Sequence, residues 1–514
     1  MPTLTRRGCL AALAAAGAAT ALPLGRPVAK AVAPSTDAWS DFEHLDALAL
    51  ADAVRRGDVH PRTLLDAAIT RAERTDARIN AYSQTLFDAA LEAVDAGLPS
   101  GPFTGVPFPV KDLGMMIDGT PTLAGSRLFK EHVADHDSEL VRRYRAAGLV
   151  LYARTTTPEL GLTATTESVA HGDTRNPWDL SRIAGGSSGG AGAAVAARMV
   201  PMAHATDGAG SIRTPASCCG VFGLKPSRGR VPLGPARTEG WQGLSTGHAI
   251  TISVRDSAAL LDATAAPESG AWYFAPPPQR PWLEETEREP GRLRIALVTD
   301  APTGGPVHAD CRSAAADAAR LCESLGHFAE PVQLPIDAGA MTDALLAVLA
   351  VETRRTLEDR AAVLGRAPSA DDVEPVTWMF AERAADYSAL DYSRARETFQ
   401  RITVSMARFM SEWDVVLSPT LAMPPLPLGV INLSPPDLER MIEEVTNFGP
   451  FAAVYNVSGQ PSMSVPLYWN DDGLPIGTMF SARYGDEAVL FRLAAQLEQV
   501  RGWRGRVPWE ARKS

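Results

Sequence analysis

The 514-residue sequence predicts an α/β layer architecture, a sheet covered by helices, and three observations predict it. Short apolar runs alternate with segments of helical period along the first half of the chain. Glycine (42) and proline (40) are plentiful, as tight turns between strands and helices require. A composition of 45% hydrophobic and 21% charged residues, without low-complexity tracts, is that of a globular chain.

The elements follow in order. Residues 42–56 and 61–75 read as amphipathic helices, the second with Pro61 at a position suited to a first helical turn. Residues 105–110 form a short apolar strand ending at Lys111; 138–147 read as a helix and 149–153 as a strand. A Gly/Ser turn at 185–190 leads into a small-residue helix at 191–199. A strand at 200–205, a second glycine turn at 208–210 and a helix starting at Ser211 come next. Residues 265–292, rich in Pro, Glu and Trp, mark a surface connection. Strands are expected at 294–299, 413–417 and 473–482, and helices at 308–325, through most of 338–412, and at 487–500. No internal repeat is visible, which favours one large domain with a helical elaboration around 338–412.

Residues 1–31 read as an export signal, leaving a mature chain of 32–514. Arg6 and Arg7 precede an alanine-rich apolar run, and Ala29-Lys30-Ala31 supplies a small-x-small cleavage pattern. Paired arginines before a weakly apolar run resemble a twin-arginine signal; a Sec signal is the alternative. Either makes the protein secreted or extracytoplasmic. No later segment is apolar enough for a membrane span, so no membrane association is expected of the mature form. The net charge of −11 argues against nucleic acid as a partner. Oligomeric state is not legible. Beyond Cys9, the four cysteines lack metal-site spacing, and no metal or cofactor is implied. Cys311 and Cys322 fall on one helix, about 16 Å apart by helical rise, too far to bridge.

Chemistry concentrates in Ala184-Gly-Gly-Ser-Ser-Gly-Gly190 and Ala205-Thr-Asp-Gly-Ala-Gly-Ser-Ile-Arg213. Each glycine turn delivers a serine near a helix start. The backbone N–H groups of Gly208, Ala209, Gly210 and Ser211 could share one concavity, where they would stabilise an oxyanion formed in acyl transfer. A serine hydroxyl becomes a nucleophile only when a base takes its proton.

Residues 105–231 resemble the amidase signature family, with a looser match to about residue 503. That family places a lysine at a strand end, then the two turns; here Lys111 is followed by Ser187 at +76 and Ser211 at a further +24. The resemblance implies a single domain with a central mixed, twisted sheet covered by helices on both faces. It implies Ser211 as nucleophile, Ser187, after a cis peptide, as bridging serine, and Lys111 as general base. Ser188, Asp207 and Arg213 would support the turns, and a small-molecule amide would be the substrate. Phe222-Gly-Leu-Lys-Pro-Ser227, Gly459-Gln-Pro-Ser462 and Asp472-Gly-Leu-Pro-Ile-Gly477 also match. Lys111 must be neutral to accept a proton, so burial must lower its pKa, and activity is expected to rise into mildly alkaline pH. Ala209 stands where the family has glycine, and a left-handed backbone there would be strained.

Trp241, Asn447 and Phe448, with Trp272 and Tyr273, are candidates for the substrate pocket. A rival nucleophile, Ser245 in Gly243-Leu-Ser-Thr-Gly247, lacks the apolar strand that a nucleophile elbow needs before it. His204 and His248 are expected to be structural or pocket-lining. The run 173–182 and the segment 485–496 look most like the family's 6-aminohexanoate-cyclic-dimer hydrolases, so linear or cyclic amides are the expected substrates. An esterase or lactonase with the same triad is one alternative, and a secreted binding protein that has lost catalysis is another.

Overall fold

Of four sheets among the described residues, the largest has eight strands, in the order Phe328–Pro331, Arg294–Leu297, Val415–Pro419, Pro475–Ala482, Ser462–Trp469, Phe222–Lys225, Thr246–Thr251 and Met202–Asp207. The first three pair in parallel and the remainder antiparallel, so the sheet is mixed. These features belong to a computed structural model that describes residues 42–508. The expected export segment at 1–31 lies outside the described residues.

All eight residues of Pro475–Ala482 and all six of Thr246–Thr251 are buried. Strands buried on alternating sides must be covered on both faces. Paired helices Gly189–Ala196 and Arg213–Cys219 provide part of the cover, and Val254–Thr264 with Glu487–Val500 another part. The second sheet has three strands, Tyr82–Thr85, Val150–Thr155 and Pro107–Lys111, the last two parallel. Its Pro107–Lys111 edge lies beside Met202–Asp207 of the large sheet. A side chain bridges the seam: the Lys111 backbone N–H donates to Nδ1 of His204 at 3.2 Å.

Local chemistry explains the element ends. The first helix begins at Ala47 instead of residue 42, because Asp46 accepts from the Ala49 N–H and caps it there. The second spans Pro61–Ile79, capped by His60, with Pro61 in the first turn as expected. The small-residue helix Gly189–Ala196 reflects close approach. A Cβ on Gly190 would sit 2.4 Å from both the Ala81 carbonyl oxygen and Thr156 Oγ1. On Gly186, one would lie 2.3 Å from the Thr165 carbonyl oxygen.

The expected elaboration forms three helices, Ala338–Leu364, Pro375–Arg383 and Ala389–Phe409, packed around their own apolar clusters. Five strands of the two larger sheets were not expected: Tyr82–Thr85, Phe222–Lys225, Thr246–Thr251, Phe328–Pro331 and Ser462–Trp469. Pro466 argues against the last, yet it falls where the register shifts between Val465 and Tyr468, and Pro109 occupies an equivalent shift between Phe108 and Val110. A proline without an N–H is tolerated at such bulges. Cys218, Cys219, Cys311 and Cys322 are buried free thiols, the last two both on Ala309–Ser324. Among the described residues no helix is long and apolar enough to cross a membrane.

Candidate active site

Lys111 ends its strand with a side chain that is 0% exposed. Its Nζ lies 2.8 Å from Ser187 Oγ, 2.9 Å from Ser188 Oγ and 2.9 Å from Thr206 Oγ1. The Ser188 hydroxyl donates to the Thr206 carbonyl at 3.2 Å, so toward Lys111 it can only accept. A neutral amine offers two donors and one lone pair, and the hydrogen pointed at that lone pair must come from Ser187 or Thr206. Burial lowers the Lys111 pKa from 10.5 to about 7, with the Asp207 carboxylate opposing the shift. His204, which fixes the Lys111 backbone, is itself held neutral, well below the usual histidine range, by burial and by the nearby Lys111. The expectation that His204 and His248 are structural fits their places, since His248 Nε2 meets Ser257 Oγ at 2.8 Å inside the core.

Ser187 follows a cis peptide bond with Gly186. Ser187, Thr206, Gly208 and Ser211 line a single cavity of about 90 Å³, together with Ser245 and Trp241. Gly161 presses on this wall: a Cβ there would lie 2.7 Å from Leu113 Cδ2 and 3.1 Å from Ser187 Oγ.

The turn that carries Ser211 is organised by Asp207. Its carboxylate accepts from the backbone N–H of Gly210 at 2.7 Å and of Ile212 at 3.1 Å. Arg213 Nε and Nη2 donate to it at 3.0 and 2.9 Å, and Asn456 Nδ2 at 2.9 Å. These contacts, Arg213 foremost, overcome the cost of burial and hold the Asp207 carboxyl well below the usual carboxylate range. Arg213 in turn donates to the Ala452 carbonyl at 2.9 Å and to Asn456 Oδ1 at 2.5 Å.

Three expectations about this turn need correction. The Gly210 N–H is committed to Asp207, so it is unavailable as an oxyanion donor. The N–H groups of Gly208, Ala209 and Ser211 carry no acceptor among the described residues, and Gly208 and Ser211 line the cavity. The helix also starts at Arg213, two residues after Ser211, and its first free N–H groups turn to Asp207. The strain foreseen at Ala209 does not arise, because the positive φ of 132° falls on Gly210.

The pocket candidates divide. Trp241 lines the cavity, and its ring would lie 2.8 Å from a Cβ at Gly208. Phe448 is 1% exposed in the apolar core, and Asn447 approaches Gly305; neither lines the cavity. Trp272 is 78% exposed, and Tyr273 donates to Glu239 Oε2 at 2.7 Å, so neither joins it. Thr206, Asn456, Leu113 and Leu160 were not named as site residues, and Ser245, which lines the cavity, only as a rival nucleophile. Thr206 precedes Asp207 by one residue and could have been found from the strand's end, whereas Asn456 offered no local signal.

Two serines lining one cavity, one of them in contact with a buried lysine at a strand end, define a serine hydrolase framework. The amidase family model matches residues 63–491, and the chain belongs to that family. It is 38% identical over 491 residues to the 6-aminohexanoate-cyclic-dimer hydrolases of Pseudomonas sp. (strain NK87) and Paenarthrobacter ureafaciens, covering 93% of this chain and 97% of each relative. The solved structure of 6-aminohexanoate cyclic dimer hydrolase with its substrate superposes with a TM-score of 0.87 at 36% identity, covering 91% of this chain and 99% of that one. A bacterial aryl acylamidase gives 0.81 at 26% identity over 89% of this chain and 96% of its own.

Proposed function

We propose that the protein hydrolyses the C–N bond of linear or cyclic carboxylic amides through an acyl-enzyme on Ser211. The observation that carries this reading is the contact of 2.8 Å between a fully buried Lys111, lowered to about 7, and Ser187, which shares its cavity with Ser211. Ser211 Oγ attacks the carbonyl carbon as its proton passes through the Ser187 hydroxyl to neutral Lys111. The uncommitted N–H groups of the turn face the developing oxyanion. The lysine then returns its proton through Ser187 to the departing amine, and water releases the acid by the same relay in reverse. Similarity to the cyclic-dimer hydrolases supports cyclic oligoamides among the substrates.

The test is purified protein at pH 8 with cyclic oligoamides, peptide C-terminal amides, anilides and fatty-acid amides, followed by mass spectrometry. Wild type should consume at least one class and Ser211→Ala none. Equal turnover by both would move the nucleophile elsewhere, with Ser245 next in line.

We also read the protein as exported, on the strength of Arg6-Arg7 and the apolar run that follows. Replacing both arginines with lysine should retain the full-length precursor in the cytoplasm if the twin-arginine route is used.

A further inference from the structure

The Ser211 cavity continues into an outer chamber of about 160 Å³, and Leu113, Leu160, Arg237 and Trp241 line both. Arg237 is the one charged side chain among the described residues lining the inner chamber; the rest of that wall is hydroxyl, glycine and apolar. No carboxylate or other acceptor hydrogen-bonds it among the described residues. The other charges of the outer chamber are already matched. Glu352 accepts from Arg355 at 2.8 Å, from Gln242 at 3.2 Å and from Tyr392 at 3.1 Å, and Arg355 also reaches Asp359 at 2.6 Å. His132 is pushed below its ordinary pKa, chiefly by burial, and is uncharged at neutral pH. Arg237 thus sits at the junction with its donors unpaired, acted on only at longer range by the Glu352 and Asp359 carboxylates and by Arg355, open to solvent on one side and crowded enough to be lowered by burial on the other.

A guanidinium keeps its charge at all working pH values and presents a planar fork of donors that fits a carboxylate. One whose donors have no partner in the protein can pair with the carboxylate of a ligand and draw anionic ligands to the site. We propose that Arg237 selects amides bearing a carboxylate away from the scissile bond, so that linear, anionic amides are preferred over neutral ones of equal length. This rests on the amidase reading above and names the substrate class of the same site.

Two matched pairs test it. Adipoyl p-nitroanilide is compared with hexanoyl p-nitroanilide for a carboxylate on the acyl side. N-hexanoyl-6-aminohexanoate is compared with N-hexanoyl-hexylamine for one on the amine side. In one pair the wild type should show a kcat/KM at least tenfold higher for the anionic member, carried by KM. That ratio should shrink severalfold as salt rises from 20 to 500 mM. In Arg237→Gln it should fall to about one, and in Arg237→Lys it should stay above one. Ratios of one or less in both wild-type pairs overturn the proposal, as does an unchanged ratio in Arg237→Gln. Should Arg237→Gln fail to fold, the wild-type salt dependence decides. Hydrolysis of a neutral member by wild type but not by Ser211→Ala upholds the amidase reading whatever the ratios. If nothing is turned over, calorimetric binding of each pair to Ser211→Ala decides this proposal separately, equal affinity within both pairs refuting it.

Discussion

Replacing Lys111 with methionine keeps the length and apolar stem of the side chain and deletes the amine. The size of the effect follows from its surroundings. Burial takes the Lys111 pKa from 10.5 to about 7, which disfavours the charged form by about 5 kcal/mol. With a pKa of about 7, roughly a tenth of the lysine is neutral at pH 6 and about nine-tenths at pH 8. The kcat/KM of the wild type should therefore rise about tenfold between those values and level off above pH 8. An ordinary lysine would leave the rate climbing about tenfold per pH unit through pH 9. Lys111→Met should lose about 10²–10⁴-fold in kcat, the usual contribution of a positioned base, and lose the rise with pH as well. The assay is initial rate on an anilide from pH 5.5 to 9.5 at constant ionic strength. A rate that falls steadily from pH 6 to 9, or still climbs tenfold per unit between 8 and 9, refutes a neutral Lys111 base of this pKa.

Stability should move the other way in the same variant. Between about 7 and 10.5 the unfolded chain binds the proton that the folded lysine has lost, so folding is penalised in full at pH 7 and below and recovers as pH rises. Lys111→Met removes that penalty but forfeits three hydroxyl contacts at about 1 kcal/mol each, so a net gain of about 2 kcal/mol is expected at pH 6, disappearing by pH 9. Denaturation at both pH values checks this. Arg213→Leu leaves the Asp207 carboxylate buried without its guanidinium and should destabilise by about 3–5 kcal/mol, read from unfolding, with loss of activity. Gly161→Ala places a methyl 3.1 Å from Ser187 Oγ at a φ of 72°. It should cut kcat about tenfold or more, with a smaller change in KM. Asn456→Ala removes donors to the Asp207 side chain and to the carbonyls of Asp207 and Leu244. A loss of about 2–4 kcal/mol in stability and a lower kcat are expected.

The sequence by itself determined the α/β class and the helix Glu487–Val500 to the residue, and its resemblance to the amidase signature family singled out Lys111, Ser187 and Ser211 as the candidate triad. Apolar periodicity and glycine-rich turns are local properties, and the motif around each candidate serine is written within a few neighbouring residues. Where strands carry mixed or proline-interrupted patterns, as in Phe222–Lys225 and Ser462–Trp469, pairing partners far along the chain decided their conformation. Partners that converge from distant segments belong to the tertiary structure alone. Asn456 reaches Asp207 across 249 residues, and His204 holds the Lys111 backbone across a separation of 93. The same holds for the pocket. Asn447 and Phe448 do not line it, while Arg237 and Leu160 meet at its wall because the fold brings their loops together. The low pKa of Lys111 is decided there too, since burial is a property of everything packed around the amine. Which N–H groups remain free for an oxyanion was settled by a single carboxylate, Asp207, taking the one at Gly210.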